Sequence, residues 1–194
     1  MSEPRMWTWS FGQHWNKTPE ARFQPGFVQV TQTDSGLLIE ANLQDRAINL
    51  SRYPLNHLAF LECDAFEVFL GAENAAHYFE FHVTPSNSIL QLRFEIGADR
   101  EPLEEHMLQE PLFASEVKIE STSWHVRMQI PLHPLNFPDL SRLKLSFGRY
   151  DHLSDGSRPV ISSTSPHTVC NFHRMEEWPL LNFEHSDPTD GGLF

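Results

Sequence analysis

The stretch from Asp64 to Glu95 decides the predicted fold, because it contains three short segments in which apolar and polar residues alternate. They read Asp64-Ala-Phe-Glu-Val-Phe-Leu70, Tyr78-Phe-Glu-Phe-His-Val-Thr84 and Ile89-Leu-Gln-Leu-Arg-Phe-Glu95. Alternation with a period of two is typical of β-strands that bury one face. Residues 71–77 join the first pair, and the turn formers Pro85-Ser-Asn-Ser88 join the second. The stretch therefore predicts an antiparallel meander.

The two faces of this meander are predicted to differ in polarity. The face towards the core is expected to carry alternate apolar side chains, namely Phe66, Val68, Leu70, Phe79, Phe81, Val83, Leu90, Leu92 and Phe94. The opposite face is then expected to carry Glu67, Phe69, Tyr78, Glu80, His82, Gln91, Arg93 and Glu95. A solvated sheet face is polar whether or not it binds anything. This mixture of acids, an amide, a guanidinium and aromatic rings also suits a polar, ring-shaped ligand.

Short strands with turn signals occupy most of the remaining chain. Residues 27–33 and 37–43 predict a hairpin across Asp34-Ser-Gly36, and residues 116–121 and 124–130 predict a second one. Residues 143–150 predict another strand, and residues 151–166 a loop. Together these elements predict an all-β fold, an antiparallel two-sheet β-sandwich with little helix. Its core is expected to contain Phe66, Val68, Phe79, Phe81, Leu92, Trp124, Val126, Ile130, Leu145 and Phe147.

The length of 194 residues predicts a single domain spanning residues 1–194. Residues 1–25 are aromatic but irregular, and we expect an arm whose rings cap the core; the alternative is an exposed indole that stacks on a ligand. Residues 186–194 are expected to form a flexible tail. The two cysteines, Cys63 and Cys170, are expected to be buried free thiols.

Charge and hydropathy limit the partners. The formal net charge of −12 argues against nucleic acid and against an anionic membrane, since both attract basic surfaces. No apolar run approaches the roughly 20 residues of a membrane-spanning helix. No secretory signal is visible, so we expect a cytoplasmic protein, or an extracellular or periplasmic one if a leader was removed. We also expect a monomer.

Four blocks in register resemble the family 9 carbohydrate-binding modules. They are Asp64-Ala-Phe-Glu-Val-Phe-Leu70 with the aromatic strand after it, Trp124-His-Val-Arg-Met-Gln-Ile-Pro-Leu132, the strand ending in Gly148-Arg-Tyr150, and Phe172-His173 followed by Trp178-Pro-Leu180. The resemblance implies a β-sandwich that binds a mono- or oligosaccharide without catalysis, with structural calcium in some members. The family's tryptophan clamp is missing, and only Phe60 stands in the corresponding stretch.

The predicted sugar site is the polar face of the meander. Sugar recognition needs an apolar platform for the ring and planar polar groups for its hydroxyls. Phe69, Tyr78 and Trp178 are the candidate platforms. Glu67, Gln91 and Arg93 are the candidate hydrogen-bonding groups, and His82 lies on the same predicted face. The resemblance carries over Glu67 as the acceptor, with Arg93 holding it in place.

Three other kinds of site stay open as alternatives. A haem-binding sandwich would use ligands such as His82, Met128 and His173. A glycoside-acting enzyme would need two carboxyl groups across a cleft, for which Glu67 and Glu80 are the candidates. No cofactor is expected apart from structural calcium, for which Asp151 and Asp155 offer oxygen ligands without the EF-hand pattern. Asp187 and Asp190 form a similar pair.

Overall fold

Two antiparallel sheets pack face to face in the computed structural model, which describes residues 5–97 and 101–182. Within these residues the strands are β1 (Met6–Ser10), β2 (Gly26–Gln32), β3 (Gly36–Gln44), β4 (Ala65–Ala72), β5 (His77–Val83), β6 (Ile89–Glu95), β7 (Ala114–Ile119), β8 (Ser123–Pro131), β9 (Arg142–Asp151), β10 (Val160–Ser163) and β11 (Leu180–Asn182). Short 3₁₀ helices span Ala59–Leu61, Leu103–His106, His133–Leu135 and Met175–Glu177. No helix in the described ranges is long and apolar enough to cross a membrane.

The strand order is β1-β2-β3-β8-β7 in the five-stranded sheet and β10-β9-β4-β5-β6 in the six-stranded sheet. β11 pairs with the first residues of β9, on the side where β10 pairs with its last residues. Every strand pair is antiparallel. The chain is therefore an all-β, two-sheet antiparallel sandwich, as the alternating segments predict.

The core lies between the two sheets. Alternate residues of each strand face inward, so side chains of β3 and β8 meet those of β4, β5 and β9. Trp124 is fully buried, and Phe66 stacks on Phe147 with ring centroids 5.7 Å apart. All ten residues expected in the core are buried, although Leu92 belongs to a second cluster outside the sandwich. Burying one such side chain contributes about 1.5–3 kcal/mol to stability.

Three short strands lie outside the strands predicted above, and β1 belongs to the arm of residues 1–25 whose rings were expected to cap the core. β1 pairs with β2 and turns Trp7 and Trp9 towards the core, with Trp9 5.8 Å from the ring of Phe147. β10 lies inside the predicted loop of residues 151–166, and β11 near the end of the described chain. The predicted tail of residues 186–194 lies outside the described residues.

Cys63 and Cys170 are free thiols, as expected. Cys63 is buried, but the expectation that Cys170 is buried is wrong, because Cys170 is exposed.

The predicted orientation of β6 is wrong. Val83 pairs with Ile89, Phe81 with Gln91 and Phe79 with Arg93. Directly paired residues share a face, so Gln91 and Arg93 lie on the core side of the sheet and not beside Glu67. The outer face of β6 instead carries Leu90, Leu92 and Phe94.

The cause is the length of the turn between β5 and β6. The Thr84 N–H donates to Ser88 O over 3.0 Å, so the loop between the paired residues is the three-residue Pro85-Ser-Asn87. Asn87 has a φ of 60°, in the left-handed region that completes such loops. A four-residue loop would pair Val83 with Leu90 and turn every side chain of β6 to its other face.

The inner side of β6 is covered by the segment of residues 108–112. The carboxamide of Gln91 is buried, donates to Leu108 O at 3.0 Å and Glu110 O at 2.7 Å, and accepts from the Leu112 N–H at 3.0 Å. Arg93 is exposed and pairs with Glu95 at 2.7 Å. Gln91 therefore has a structural role, and Arg93 makes only a surface ion pair.

Replacing Gln91 by alanine should lower the free energy of unfolding by about 2–4 kcal/mol, since buried backbone groups lose their partners. Arg93→Ala is the control and should change it by less than about 1 kcal/mol, because exposed ion pairs contribute little. Urea denaturation measures both. Equal costs for the two variants would contradict this register.

Candidate functional site

The outer face of the six-stranded sheet is covered by chain segments and is not a solvated surface. Residues 58–60, 103–107 and 172–178 pack over it. They enclose a second apolar cluster of buried residues, which contains Phe69, Tyr78, Leu90, Leu92, Phe94, Phe172 and Trp178. The sheet therefore buries both faces, one in the sandwich and one under these segments.

Two of the three predicted sugar platforms are used for packing. Trp178 is 3% exposed, donates from Nε1 to Phe172 O at 2.7 Å, and packs on Phe69 with ring centroids 5.7 Å apart. The Tyr78 hydroxyl is 2.8 Å from Nδ1 of His173. These contacts fix the segment of residues 172–178 on the sheet. Phe69 alone of the three platforms reaches the cavity described next.

A cavity of about 260 Å³ remains between this cover and the sheet. Aromatic rings line it, namely Phe60, Phe69, Tyr150 and Phe172. Its polar lining includes Glu67, Glu80, Asn171 and His173. Phe60 and Tyr150 are partly exposed, with ring centroids 5.4 Å apart, so they stand at the open side of the cavity.

Beside the cavity, Glu67, His82 and Glu80 form a buried row of polar side chains. β4 and β5 position them, since Glu67 pairs directly with His82 and Glu80 lies two residues before His82. His82 Nδ1 is 3.3 Å from Glu67 Oε1, and its Nε2 makes a short contact with Glu80 Oε1. Each side chain is less than one tenth exposed. His82 therefore contacts both carboxyl groups, by a hydrogen bond with Glu80 and by an ion-pair contact with Glu67. The resemblance had given the contact with Glu67 to Arg93.

Gly148 on β9 leaves room for the carboxyl group of Glu67, because it has no side chain. A Cβ atom at Gly148 would lie 2.5 Å from Glu67 Oε2 and 2.8 Å from the ring of Phe172. Both distances are too short for atoms that do not bond, so any side chain here displaces the carboxyl group or the ring.

Burial raises the pKa of the Glu67 carboxyl to about 8, although the charge on His82 opposes the shift. Burial lowers the pKa of His82, but Glu67 and Glu80 raise it more, so the net shift is upward. The row therefore retains more protons at neutral pH than the same groups would in water. Burial and the two acids also raise the pKa of the Tyr150 phenol, which stays neutral.

Sequence reasoning missed part of this lining. Tyr150, Asn171, Phe172 and Cys170 were not predicted as site residues, although all four line the cavity. Tyr150 could have been found, because it lies two residues after Gly148 on a strand next to β4. The other three lie on a loop whose position depends on long-range packing, which alternation does not encode.

The predicted pairing of Asp151 with Asp155 is wrong. Asp155 is exposed, and its Oδ1 accepts from the Ser157 N–H at 2.9 Å. Asp151 is buried with Asp45 and Asp64, and one oxygen atom from each lies within 4.8 Å of the others.

This aspartate cluster fits a calcium ion. Asp45 Oδ2 and both oxygens of Asp151 have no hydrogen-bond partner. Burial raises the pKa of Asp64 to about 6 and of Asp151 to about 7. Arg149 contacts two of these acids, with its Nη2 3.7 Å from Asp45 Oδ2 and 3.3 Å from Asp151 Oδ2. One guanidinium does not neutralise three carboxylates, and a calcium ion, which prefers oxygen ligands, would favour their ionised forms.

The structure brings together two of the three haem candidates, since His82 and His173 both lie beside Glu80, and it separates Met128 from them. Met128 lies in the core between the sheets, whereas His82 lies on the outer face of the six-stranded sheet. Glu67 and Glu80, the candidate catalytic pair, do lie side by side. Both rise from the same sheet face, and not from opposite walls of a cleft.

Comparisons with known proteins identify the fold. No protein-family model and no curated protein sequence matches the chain. A Bacteroides uniformis ATCC 8492 crystal structure, described as a candidate carbohydrate-binding protein, superposes with a TM-score of 0.72 at 16% identity, over 93% of this chain and 87% of that one. A family 9 carbohydrate-binding module from Caldicellulosiruptor kristjanssonii in complex with cellotriose gives 0.61 at 13% identity, over 90% and 83%.

The same module in complex with glucose gives a TM-score of 0.62 at 13% identity, over 89% of this chain and 83% of that chain. At these identities the similarity establishes the architecture of the chain. The fold is that of a family 9 carbohydrate-binding module.

Replacing Gly148 by alanine should lower the free energy of unfolding by about 1–3 kcal/mol through overpacking against Phe172 and Glu67. Gly12→Ala is the control, because the three atoms nearest to its Cβ would all belong to the His14 ring, at 3.2 Å or more. We expect it to change stability by less than about 1 kcal/mol. If Gly148→Ala is as stable as the wild type in urea, the described contact is absent.

Proposed function

We propose that this chain is a non-catalytic carbohydrate-binding domain that holds a sugar in the cavity on the outer face of the six-stranded sheet. The observation that carries the proposal is the composition of that cavity, in which partly exposed aromatic rings stand beside two buried carboxyl groups. The structural neighbours support it, since one of them was solved with cellotriose and with glucose. We further propose that the domain acts as a monomer.

The rings and the acids have separate roles in binding. Phe60 and Tyr150 offer apolar surfaces for the C–H face of a sugar ring. Glu67 and Glu80 offer carboxyl oxygens to sugar hydroxyls, and a hydrogen bond to an ionised carboxylate contributes about 1.5–3 kcal/mol. His82 contacts both carboxyl groups and so fixes their orientation before the ligand arrives. This preorganisation reduces the entropy lost on binding.

The cavity volume indicates a short ligand. About 260 Å³ lies just below the range of about 300–1,000 Å³ that encloses drug-sized molecules. One sugar ring fits such a volume, and a long chain does not. We therefore propose that the cavity binds a monosaccharide or the terminal ring of an oligosaccharide.

The arrangement of the acids favours binding over hydrolysis. A glycosidase places its two carboxyl groups on either side of the scissile bond. Glu67 and Glu80 instead share one imidazole and one sheet face. They can both contact one side of a ligand, which suits recognition of hydroxyl groups.

Replacing Phe60 by alanine should weaken sugar binding at least tenfold, because an exposed ring that stacks on the ligand is lost. Phe27→Ala is the matched control: Phe27 is 48% exposed and lies on the five-stranded sheet. Titration calorimetry with glucose and cellobiose measures both variants. Equal affinities for Phe60→Ala and wild type would show that the sugar binds elsewhere.

We also propose that Asp45, Asp64 and Asp151 hold a structural calcium ion. Calcium at a hundredfold excess over its Kd should stabilise the fold by about 2.7 kcal/mol. For a domain of this size the Tm then rises by about 5–10 °C. Scanning calorimetry after chelation and after calcium addition measures the change.

Asp151→Asn should abolish this calcium-dependent rise in Tm, whereas Asp155→Asn should retain it, since Asp155 is exposed and outside the cluster. A wild-type Tm that does not respond to calcium would refute the metal assignment and leave the sugar site untouched.

A further inference from the structure

The sugar cavity is lined by two acids and by no strong base. Glu67 and Glu80 line it, while no lysine or arginine of the described residues does. Two imidazoles lie near the acids: His82, which contacts both of them, and His173, which is half exposed.

One carboxyl oxygen in the cavity lacks a partner. Glu80 is 6% exposed, and its Oε2 makes no hydrogen bond. His173 Nε2 lies 3.8 Å away, beyond hydrogen-bond distance. A buried acceptor without a donor destabilises the free site, and more so when it is charged. The site therefore lacks one strong donor at the position of Glu80 Oε2.

We propose that the cavity selects an amino sugar, a ring that carries a protonated primary amine, with the ammonium group bound by Glu80 and Glu67. This inference rests on the proposed sugar-binding function and names its ligand class. An ammonium group has three donors and no acceptor, so it can serve Glu80 Oε2 and a second carboxyl oxygen together.

The aromatic lining adds to this preference. Phe60, Tyr150 and Phe172 line the cavity with the acids, and the face of an aromatic ring attracts a cation. Acids combined with aromatic rings bind an ammonium group better than a hydroxyl group, because both kinds of contact respond to its charge. The formal charge of −12 also attracts cationic ligands from solution.

Binding of an ammonium group should release a proton. Burial and the neighbouring Glu80 raise the pKa of the Glu67 carboxyl in the free protein, although the charge of His82 opposes the shift, so Glu67 holds its proton at pH 6.5. The titratable groups facing the two acids are His82 on β5, Tyr150 on β9, and Cys170 and His173 on the covering loop. A cation beside Glu67 favours its ionised form, so the carboxyl proton leaves to the buffer.

The test is titration calorimetry at pH 6.5 with three ligands: the methyl glycosides of glucose, glucosamine and N-acetylglucosamine. We expect glucosamine to bind at least tenfold more tightly than the other two, since acetylation removes the charge. Repeating the titration in buffers of different ionisation enthalpy should show proton release for glucosamine alone.

Glu80→Gln keeps the shape of the side chain but removes its charge, so it should abolish the preference for glucosamine over glucose. Glu116→Gln, an exposed acid on β7, is the control and should leave that preference unchanged. Protection of the exposed thiol of Cys170 from alkylation gives a second measurement on the wild type alone. Glucosamine should protect it at about a tenfold lower concentration than glucose does.

The outcomes separate this inference from the proposed function. If glucose binds as tightly as glucosamine, the amino-sugar inference is wrong and sugar binding stands. If none of the three ligands binds or protects Cys170, both fail. If Glu80→Gln keeps the preference for glucosamine, its carboxylate does not select the amine and the inference is overturned. Glu67, Glu80 and His82 could also hold a metal ion. If a chelator abolishes the preference in the wild type, the inference is overturned as well, because a metal ion and not the free carboxylates is then required.

Discussion

The contact of His82 with both Glu67 and Glu80 is the interaction on which the outer face of the six-stranded sheet depends. Two carboxyl groups are buried there, and an unpaired buried charge is costly. The imidazole of His82 lies between them and offsets part of this free-energy cost. The raised pKa of Glu67 keeps that carboxyl protonated, which lowers the cost further. The aromatic cover packs over this row. Glu80 Oε2 has no hydrogen-bond partner, and Glu80 lines the cavity in which we propose that a ligand binds.

Three consecutive residues of β9 connect this site with the aspartate cluster. Gly148 and Tyr150 lie on the outer face. Gly148 leaves room for the carboxyl group of Glu67, and Tyr150 lines the cavity. Arg149 between them faces inward and pairs with Asp45 and Asp151. A strand turns successive side chains to opposite faces, so a single segment contributes to the proposed sugar site on one side and to the proposed calcium site on the other. A change in either cluster is therefore expected to affect the other through β9.

The sequence predicted the sandwich well because alternation survives in the long strands. Both central hairpins and all ten expected core residues are present. It misplaced Gln91 and Arg93 because both faces of the six-stranded sheet are buried, so apolar residues do not reveal which face is the inner one. The register of β6 was decided by one residue in the turn before it, with Asn87 in the left-handed region. Phe172 and Asn171 depend on a loop whose position no local pattern encodes.

A crystal structure of the protein soaked with glucose tests the central claim most directly, that the outer face of the six-stranded sheet is the binding surface. The account predicts sugar density in the cavity, with the ring against Phe60 or Tyr150 and a hydroxyl within 3.2 Å of a carboxyl oxygen of Glu80 or Glu67. Sugar density on the exposed face of the five-stranded sheet, around Phe27 and Arg127, with this cavity empty, would contradict it.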